Sequence, residues 1–226
     1  MFPRKTTVGP LVAGNASLLV GSVTPVSGTP LTLLTTALDV PRRIFLAYGN
    51  EGAPRTLALV GTDRAGNAIK ETLSVPAGGA GSPINTTQDF LTLTSATPAG
   101  GGWSANMTLG TGGIASGPWI VMNSQVSPSN IGIAVVVSGT VNYTVEYTYD
   151  NLNALTLSGS QGFSSIIQPT VWSFSALASK TASTDLVNVP WIEPIWAMRL
   201  TLNSFTNPGS ATATFIQAGV SQGGHF

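Results

Sequence analysis

The sequence predicts an all-β protein with two β-sandwich or jelly-roll domains and an extended N-terminal arm. Short apolar runs alternate with turns throughout, and 26 glycines and 15 prolines supply the turn residues. Apolar and polar side chains alternate with a period of two, most clearly from Val141 to Tyr149, which is typical of half-buried strands. No segment combines a sustained period of 3.6 with helix caps. Many short strands between frequent turns favour sandwiches or jelly rolls.

The first fifteen residues, Met1–Asn15, are predicted to form the arm. Prolines and glycines interrupt this stretch too often for an independent strand, yet it carries apolar side chains that a partner could bury. A frayed terminus is the alternative, and the two interpretations have equal weight. The arm supplies most of the candidate partner contacts, which are Phe2, Arg4, Lys5, Leu11 and Val12.

Residues 16–114 are predicted to form the N-terminal domain. Its best-defined element is a hairpin from Ala53 to Pro76, in which two alternating strands flank a turn that contains Asp63 and Gly66. Both residue types favour turns. A calcium loop is disfavoured here, because the repeated acidic positions and the distal glutamate of such loops are missing.

Residues 115–226 are predicted to form the C-terminal domain, and the glycine-rich stretch Thr111–Pro118 is the best candidate for the boundary. The segment from Ile131 to Asp150 predicts a hairpin with Ser138 and Gly139 as its turn. Its first strand is nearly all apolar, so we expect that strand to be buried on both faces.

The second strand of this hairpin is predicted to be half-buried. Val141 and Val145 lie on its apolar face, whereas Thr144 and Glu146 lie on the polar face. A similar pattern recurs near the C-terminus, where a turn at Asn207–Ser210 is predicted to join two further strands into a hairpin.

Charge is scarce in this chain. Charged residues make up 8% of the sequence, where about 25% is ordinary, and nine basic and nine acidic residues cancel. Because interface cores are depleted in charge and a net charge near zero favours association, we predict a homo-oligomer that is part of a larger protein assembly. An ordinary sandwich with a threonine-rich exterior is the alternative.

The same composition excludes several other classes of protein. Scattered charges of both signs argue against nucleic acid as the main partner. The apolar runs are too short to span a membrane. The sequence contains no cysteine, which excludes a disulfide framework.

No catalytic, metal-binding or cofactor-binding constellation is present in the sequence. The single histidine, His225, follows two glycines, and a catalytic base must be held rigidly in a cleft. One histidine and scattered carboxylates do not form a metal site. Glu146 and Asp150 could form a glycosidase pair, but two exposed carboxylates at a strand end are the favoured interpretation. We therefore predict a protein that is not an enzyme and uses no cofactor.

Two tryptophans complete the candidate partner contacts. Trp191 and Trp196 flank Pro194 in the apolar stretch PWIEPIW. Aromatic side chains anchor cores and interfaces well, and we favour that interpretation. The alternative is a sugar-binding platform, which would make the protein a carbohydrate-binding module for host recognition. The tryptophans that could form this platform are Trp103, Trp119, Trp172, Trp191 and Trp196.

Three segments resemble structural proteins of tailed bacteriophages. The segment RTLALVGTDRAGNAIKETL, which begins at Arg55, resembles a β-domain that is frequent in those proteins. The segments SGTVNYTVEYTYDN, from Ser138, and AMRLTLNSFTNPGSATATFIQAG, from Ala197, resemble the two ends of a second phage β-domain. Together, in this order, they span the larger part of the chain.

The resemblance implies a component of the virion, assembled in the bacterial host cytoplasm. The favoured role is a capsid decoration (cement) protein that binds the major capsid protein or other virion proteins and stabilises the lattice. A tail or head–tail connector protein is the alternative within this class. Such families carry no catalytic residues, and none is carried over to this chain.

Overall fold

The fold is all-β, as the sequence predicts. The computed structural model describes residues 3–64, 66–78, 81–123, 126–150, 172–173, 180–181, 184–185, 195–206 and 208–221. These described residues form fifteen strands and no helix. They divide into two compact units: one is formed by Ala13–Ala115, and the other by the residues up to Val12 together with those from Ser116 onward.

The strands of the N-terminal unit lie in one hydrogen-bonded sheet with the order β2-β7-β3-β6-β4-β5. They are β2 (Asn15–Val23), β3 (Ala37–Tyr48), β4 (Arg55–Thr62), β5 (Ala68–Val75), β6 (Ile84–Ala99) and β7 (Met107–Ser116). The first half of β6 pairs with β3 and the second half with β4. The chain before β3 is also hydrogen-bonded to β6: the backbone N–H of Leu31 donates to the Ala96 carbonyl at 2.8 Å.

The predicted hairpin of this unit is confirmed. β4 and β5 pair over eight residues, from Arg55 opposite Val75 to Thr62 opposite Ala68. The Asp63 carboxylate accepts the backbone N–H of the fifth turn residue, Asn67, at 2.9 Å. Side chains from every strand of the sheet form the apolar core of the unit, which includes Leu19, Ile44, Leu46, Leu57, Leu59, Ile69, Phe90, Leu93 and Leu109.

The C-terminal unit is a sandwich of two sheets. The first sheet has the order β1-β15-β9-β13, and in the second β10 pairs with β14, with short strands at the margins. The strands are β1 (Arg4–Val8), β8 (Ile120–Val121), β9 (Val126–Ser138), β10 (Thr140–Thr148), β11 (Trp172–Ser173), β12 (Lys180–Thr181), β13 (Thr184–Asp185), β14 (Ala197–Phe205) and β15 (Ser210–Ser221). The core between the sheets contains Val8, Leu11, Ile133, Val135, Val141, Tyr143, Leu200, Leu202 and Phe215.

Both hairpins predicted for this unit are wrong, although their strands are correct. β9 pairs with β15 and β10 pairs with β14, so the chain changes sheet at Gly139 and again before Ser210. A single residue, Gly139, separates β9 from β10; its φ of +75° turns the chain sharply. A Cβ there would collide with the Pro208 carbonyl, so the two corners pack against each other and require glycine.

Two other sequence expectations need correction. Val136 on β9 is 48% exposed, so this strand is buried on one face and not on both. The predicted arm is not free: its residues Arg4–Val8 form a strand paired with β15.

Candidate functional site

An exposed, regular surface of the C-terminal unit is the outer face of β1, β15 and β9. We call it the threonine face, and it consists of Lys5, Thr7, Ala134, Val136, Thr212, Thr214 and Ile216. Register places these side chains together, since Lys5 lies opposite Thr214 and Thr7 opposite Thr212. The face arises because alternate residues of each strand point away from the core.

The chemistry of the threonine face is neutral and partly apolar. Lys5 is its only charged member. Val136 and Ile216 are 48% and 41% exposed, which is high for branched aliphatic side chains. Two hydroxyl groups, those of Thr7 and Thr212, hydrogen-bond each other at 2.9 Å. A partner that covers this face would therefore bury methyl groups together with the Thr7 and Thr212 hydroxyls, which already bond to each other.

A second feature is a polar cluster on the outer face of β10 and β14. Arg199 donates from Nε to Glu146 Oε2 at 2.6 Å, and the Thr201 hydroxyl donates to the same oxygen at 2.9 Å. The Arg199 guanidinium lies 4.6 Å from the ring centroid of Trp119. Ser116 completes the cluster, with its hydroxyl 3.0 Å from that of Thr201.

This cluster corrects the expectation that Glu146 is an exposed carboxylate. Glu146 and Arg199 are only 7% and 8% exposed, so the pair is nearly removed from water. The arrangement fastens the segment before β8 onto the sheet, because Trp119 is stacked and Ser116 is hydrogen-bonded. Its chemistry is that of a structural clamp, in which Arg199 neutralises the Glu146 carboxylate and Thr201 donates a further hydrogen bond to it.

A second buried carboxylate, Glu51, clamps loops of the N-terminal unit. Its side chain is fully buried and accepts the backbone N–H groups of Ser104 at 3.0 Å and Ala105 at 3.1 Å. Arg55 Nε lies 3.5 Å from it. Burial by itself raises the pKa of Glu51, but the hydrogen bonds from Ser104, Ala105 and Arg55 outweigh it and lower the pKa below the ordinary value.

The structure assigns different positions to the candidate contacts of the N-terminal segment. Arg4 is exposed on β1, and its guanidinium donates to the Val121 carbonyl at 2.6 Å. Lys5 lies on the threonine face. Leu11 is 1% exposed, so its prediction as a partner contact is corrected: it is a core residue. Val12, the next residue, is 66% exposed.

The tryptophan candidates are only partly covered by the structure. Trp196 is half-buried, and its backbone joins two segments. The backbone N–H of Trp196 donates to the Thr148 carbonyl at 2.9 Å, and the Trp196 carbonyl accepts the backbone N–H of Met122 at 2.8 Å. Its indole N–H is buried without a hydrogen-bond partner in the described part of the chain. Phe2 and Trp191 lie outside the described residues.

Sequence reasoning missed the threonine face and the Arg199 cluster. Thr7, Val136 and Thr212 are far apart in sequence, and only the pairing of β1 and β9 with β15 brings them together. The available signal is the alternation of alanine and threonine in ATATF, which predicts a strand but does not indicate which strands pair with it. Among the described residues, no group of three acidic or histidine side chains could hold a metal ion. The same residues include no helix long and apolar enough to cross a membrane.

The fold and these surfaces define an all-β protein built from two strand-rich units. No protein-family model matches the chain, and no curated protein matches it. Among solved structures it is similar to the PBSX exported protein XepA, with 10% identity, a TM-score of 0.27 and coverage of 88% of this chain and 85% of that one. It is also similar to a chain from the triple jelly-roll fold and turret assembly of an archaeal virus, with 14% identity, a TM-score of 0.20 and coverage of 94% and 76%. Likeness at this level carries no functional argument.

Proposed function

We propose that the protein is a non-enzymatic structural component of a bacteriophage virion, and that it decorates the capsid by docking its threonine face on the protein lattice. The observation that carries the proposal is the threonine face itself, an exposed sheet surface with Lys5 as its one charge. Its depletion in charge resembles the centre of a protein interface more than an ordinary protein surface. The resemblance of three segments to phage structural proteins points to the same role.

The size of the threonine face favours binding in many copies. Three strands and about five residues of each give roughly 250 Å² from ordinary strand spacings. A stable interface buries about 800 Å² on each partner. One copy held by this face alone would bind weakly, whereas an oligomer on a repeating lattice gains avidity without any new type of contact. We therefore include a homo-oligomer in the proposal.

Charge substitution on the face tests this proposal. Ile216→Lys places a cation at the exposed margin of the threonine face, and Leu34→Lys is the matched control, since Leu34 is 68% exposed on the other unit. Copies per purified particle are measured by quantitative mass spectrometry. We expect Ile216→Lys to lower the copy number and Leu34→Lys to leave it unchanged.

Three outcomes contradict the proposal in different ways. Absence of the unmodified protein from purified particles would refute the virion role. Equal copy numbers for both variants would refute the threonine face as the contact. Recovery of the protein with tails, and not with capsids, would leave a tail or connector protein as the correct role.

The carbohydrate-binding alternative gives a distinct result. A sugar platform needs a free aromatic face, whereas one face of Trp119 is taken by Arg199 and Trp196 is half-buried. We expect a glycan array to give no binding. Binding that is lost in Trp196→Ala would favour the module for host recognition instead.

A further inference from the structure

Strand β1 belongs to a unit from which the sequence separates it. Its neighbours in the sheet, β15 and β9, come from the C-terminal part of the chain, whereas the whole N-terminal unit from Ala13 to Ala115 follows β1 directly. No short chain connection joins β1 to the rest of the C-terminal unit, so non-covalent contacts alone hold it against β15. It lies at the edge of its sheet and, among the described strands, pairs with β15 alone.

The docking of β1 is extensive for five residues. Arg4–Val8 pair with β15 from Phe215 to Ala211 in continuous antiparallel register. Thr6 and Val8 are 5% and 1% exposed, so the strand completes one side of the core. Without β1, this part of the core and the edge of β15 would face water, which makes some copy of the segment a requirement for each C-terminal unit.

The segment that follows β1 has two parts. The first is tightly held, because the Leu11 N–H donates to the Gly209 carbonyl at 3.2 Å and a Cβ on Gly9, whose φ is +101°, would collide with the same carbonyl. The second part, residues 12–14, is exposed. β2 then begins at Asn15 in the other unit. We call residues 12–14 the hinge.

We propose that β1 is exchanged between copies of this protein, so that Arg4–Leu11 of one copy docks on β15 of a second copy. The contacts made by the segment are the same in both arrangements, so the two differ only in the hinge and in the entropy of association. A short linker gives an effective concentration in the millimolar range, and exchange therefore competes when copies are crowded. The proposal does not depend on the capsid role, because it concerns the isolated protein.

Cysteine trapping tests the exchange directly, since the sequence contains no cysteine. Thr7 lies opposite Thr212, and their hydroxyl oxygens are 2.9 Å apart, which suits a disulfide between strands. The single variants Thr7→Cys and Thr212→Cys are mixed at high concentration under mild oxidation. We expect a disulfide-linked product of twice the chain mass on a non-reducing gel, in an amount that rises with protein concentration.

The matched control mixes Thr7→Cys with Ser138→Cys. Ser138 is also exposed, but it lies on β9, which pairs with β15 on the side opposite to β1. A docked β1 does not reach it, so a linked product in this mixture reports chance collisions. The double variant Thr7→Cys/Thr212→Cys should close its disulfide within one chain and shows that the geometry is competent. If it does so while the Thr212→Cys mixture gives no more linked product than the control, the exchange proposal is overturned.

Deletion of the hinge provides a second test without disulfides. Loss of residues 12–14 shortens the reach of the chain by about 10 Å at the extended length per residue. Pairing of β1 within one chain should then be strained, and we expect size-exclusion chromatography with light scattering to show a shift from monomer to a folded dimer. A folded monomer at millimolar concentration would overturn the proposal, whether or not the cysteine variants are stable.

Discussion

Replacement of Leu11 by alanine should destabilise the isolated protein. The sequence assigns Leu11 to an arm that orders only on a partner, whereas the structure buries its side chain to 1% exposure. Truncation of a buried leucine costs about 2–5 kcal/mol, because apolar contacts are lost and a cavity remains. Each kcal/mol corresponds to about 2–4 °C in melting temperature for a chain of this size. Calorimetry of the isolated protein measures the shift, and we expect it in the transition of the C-terminal unit.

The neighbouring residue supplies the control for this experiment. Val12 is 66% exposed, so Val12→Ala should change the free energy of unfolding by no more than about 0.5 kcal/mol. A free arm would give the opposite pattern on particles, in which both changes lower occupancy and neither changes the melting temperature. Equal melting temperatures for Leu11→Ala and Val12→Ala would refute the docked segment on which our reasoning about β1 rests.

Three further changes probe the buried polar groups and the sandwich corner. Glu146→Ala should lower the free energy of unfolding by about 3–5 kcal/mol, measured by urea denaturation, because it leaves Arg199 buried without its carboxylate partner. Strict additivity of Glu146→Ala and Arg199→Met in a double-mutant cycle would contradict this. Because hydrogen bonds lower the pKa of Glu51 below its ordinary value of 4.5, its contribution to stability is complete above that pH and is lost as the pH falls through the lowered pKa. Glu51→Gln should therefore flatten the acid limb of the stability profile, and an unchanged profile would argue against the clamp. Gly139→Ala should destabilise by more than Gly28→Ala, since both glycines have positive φ but only Gly139 lacks room for a Cβ; equal unfolding midpoints would speak against the tight corner.

Local chemistry made part of this fold predictable. The hairpin of β4 and β5 is determined within about twenty residues, because Asp63 and Gly66 form its turn and both strands alternate correctly. β9 and β10 alternate just as clearly, yet they do not pair with each other. Their partners lie far away in sequence, at β15 and β14, and a one-residue connection at Gly139 sends them to different sheets. Alternation identifies strands and faces, but it carries no information about distant partners.

The same limit explains what the sequence could and could not say of the candidate site. Alternation correctly placed Thr144 and Glu146 on one face of β10, but it could not tell that the face is covered. Proline and glycine in the first fifteen residues indicate an interrupted segment, and they say nothing of a docking edge that β15 offers some 200 positions later. Lys5 and Val12 remain exposed in the structure and stay candidates for a partner.

Part of the scarce charge is withdrawn from the surface. Four ion pairs among the described residues, Asp39–Arg42, Arg43–Asp89, Glu51–Arg55 and Glu146–Arg199, contain eight of the eighteen charged side chains. In each pair at least one partner is largely buried, and the threonine face carries Lys5 as its one charge. Association through such a surface depends on buried apolar area and on the match between hydroxyl groups, and it should be insensitive to screening by salt. The threonine face is therefore the candidate contact whose binding should change least with ionic strength, whereas a contact made by charged side chains would weaken as salt is added.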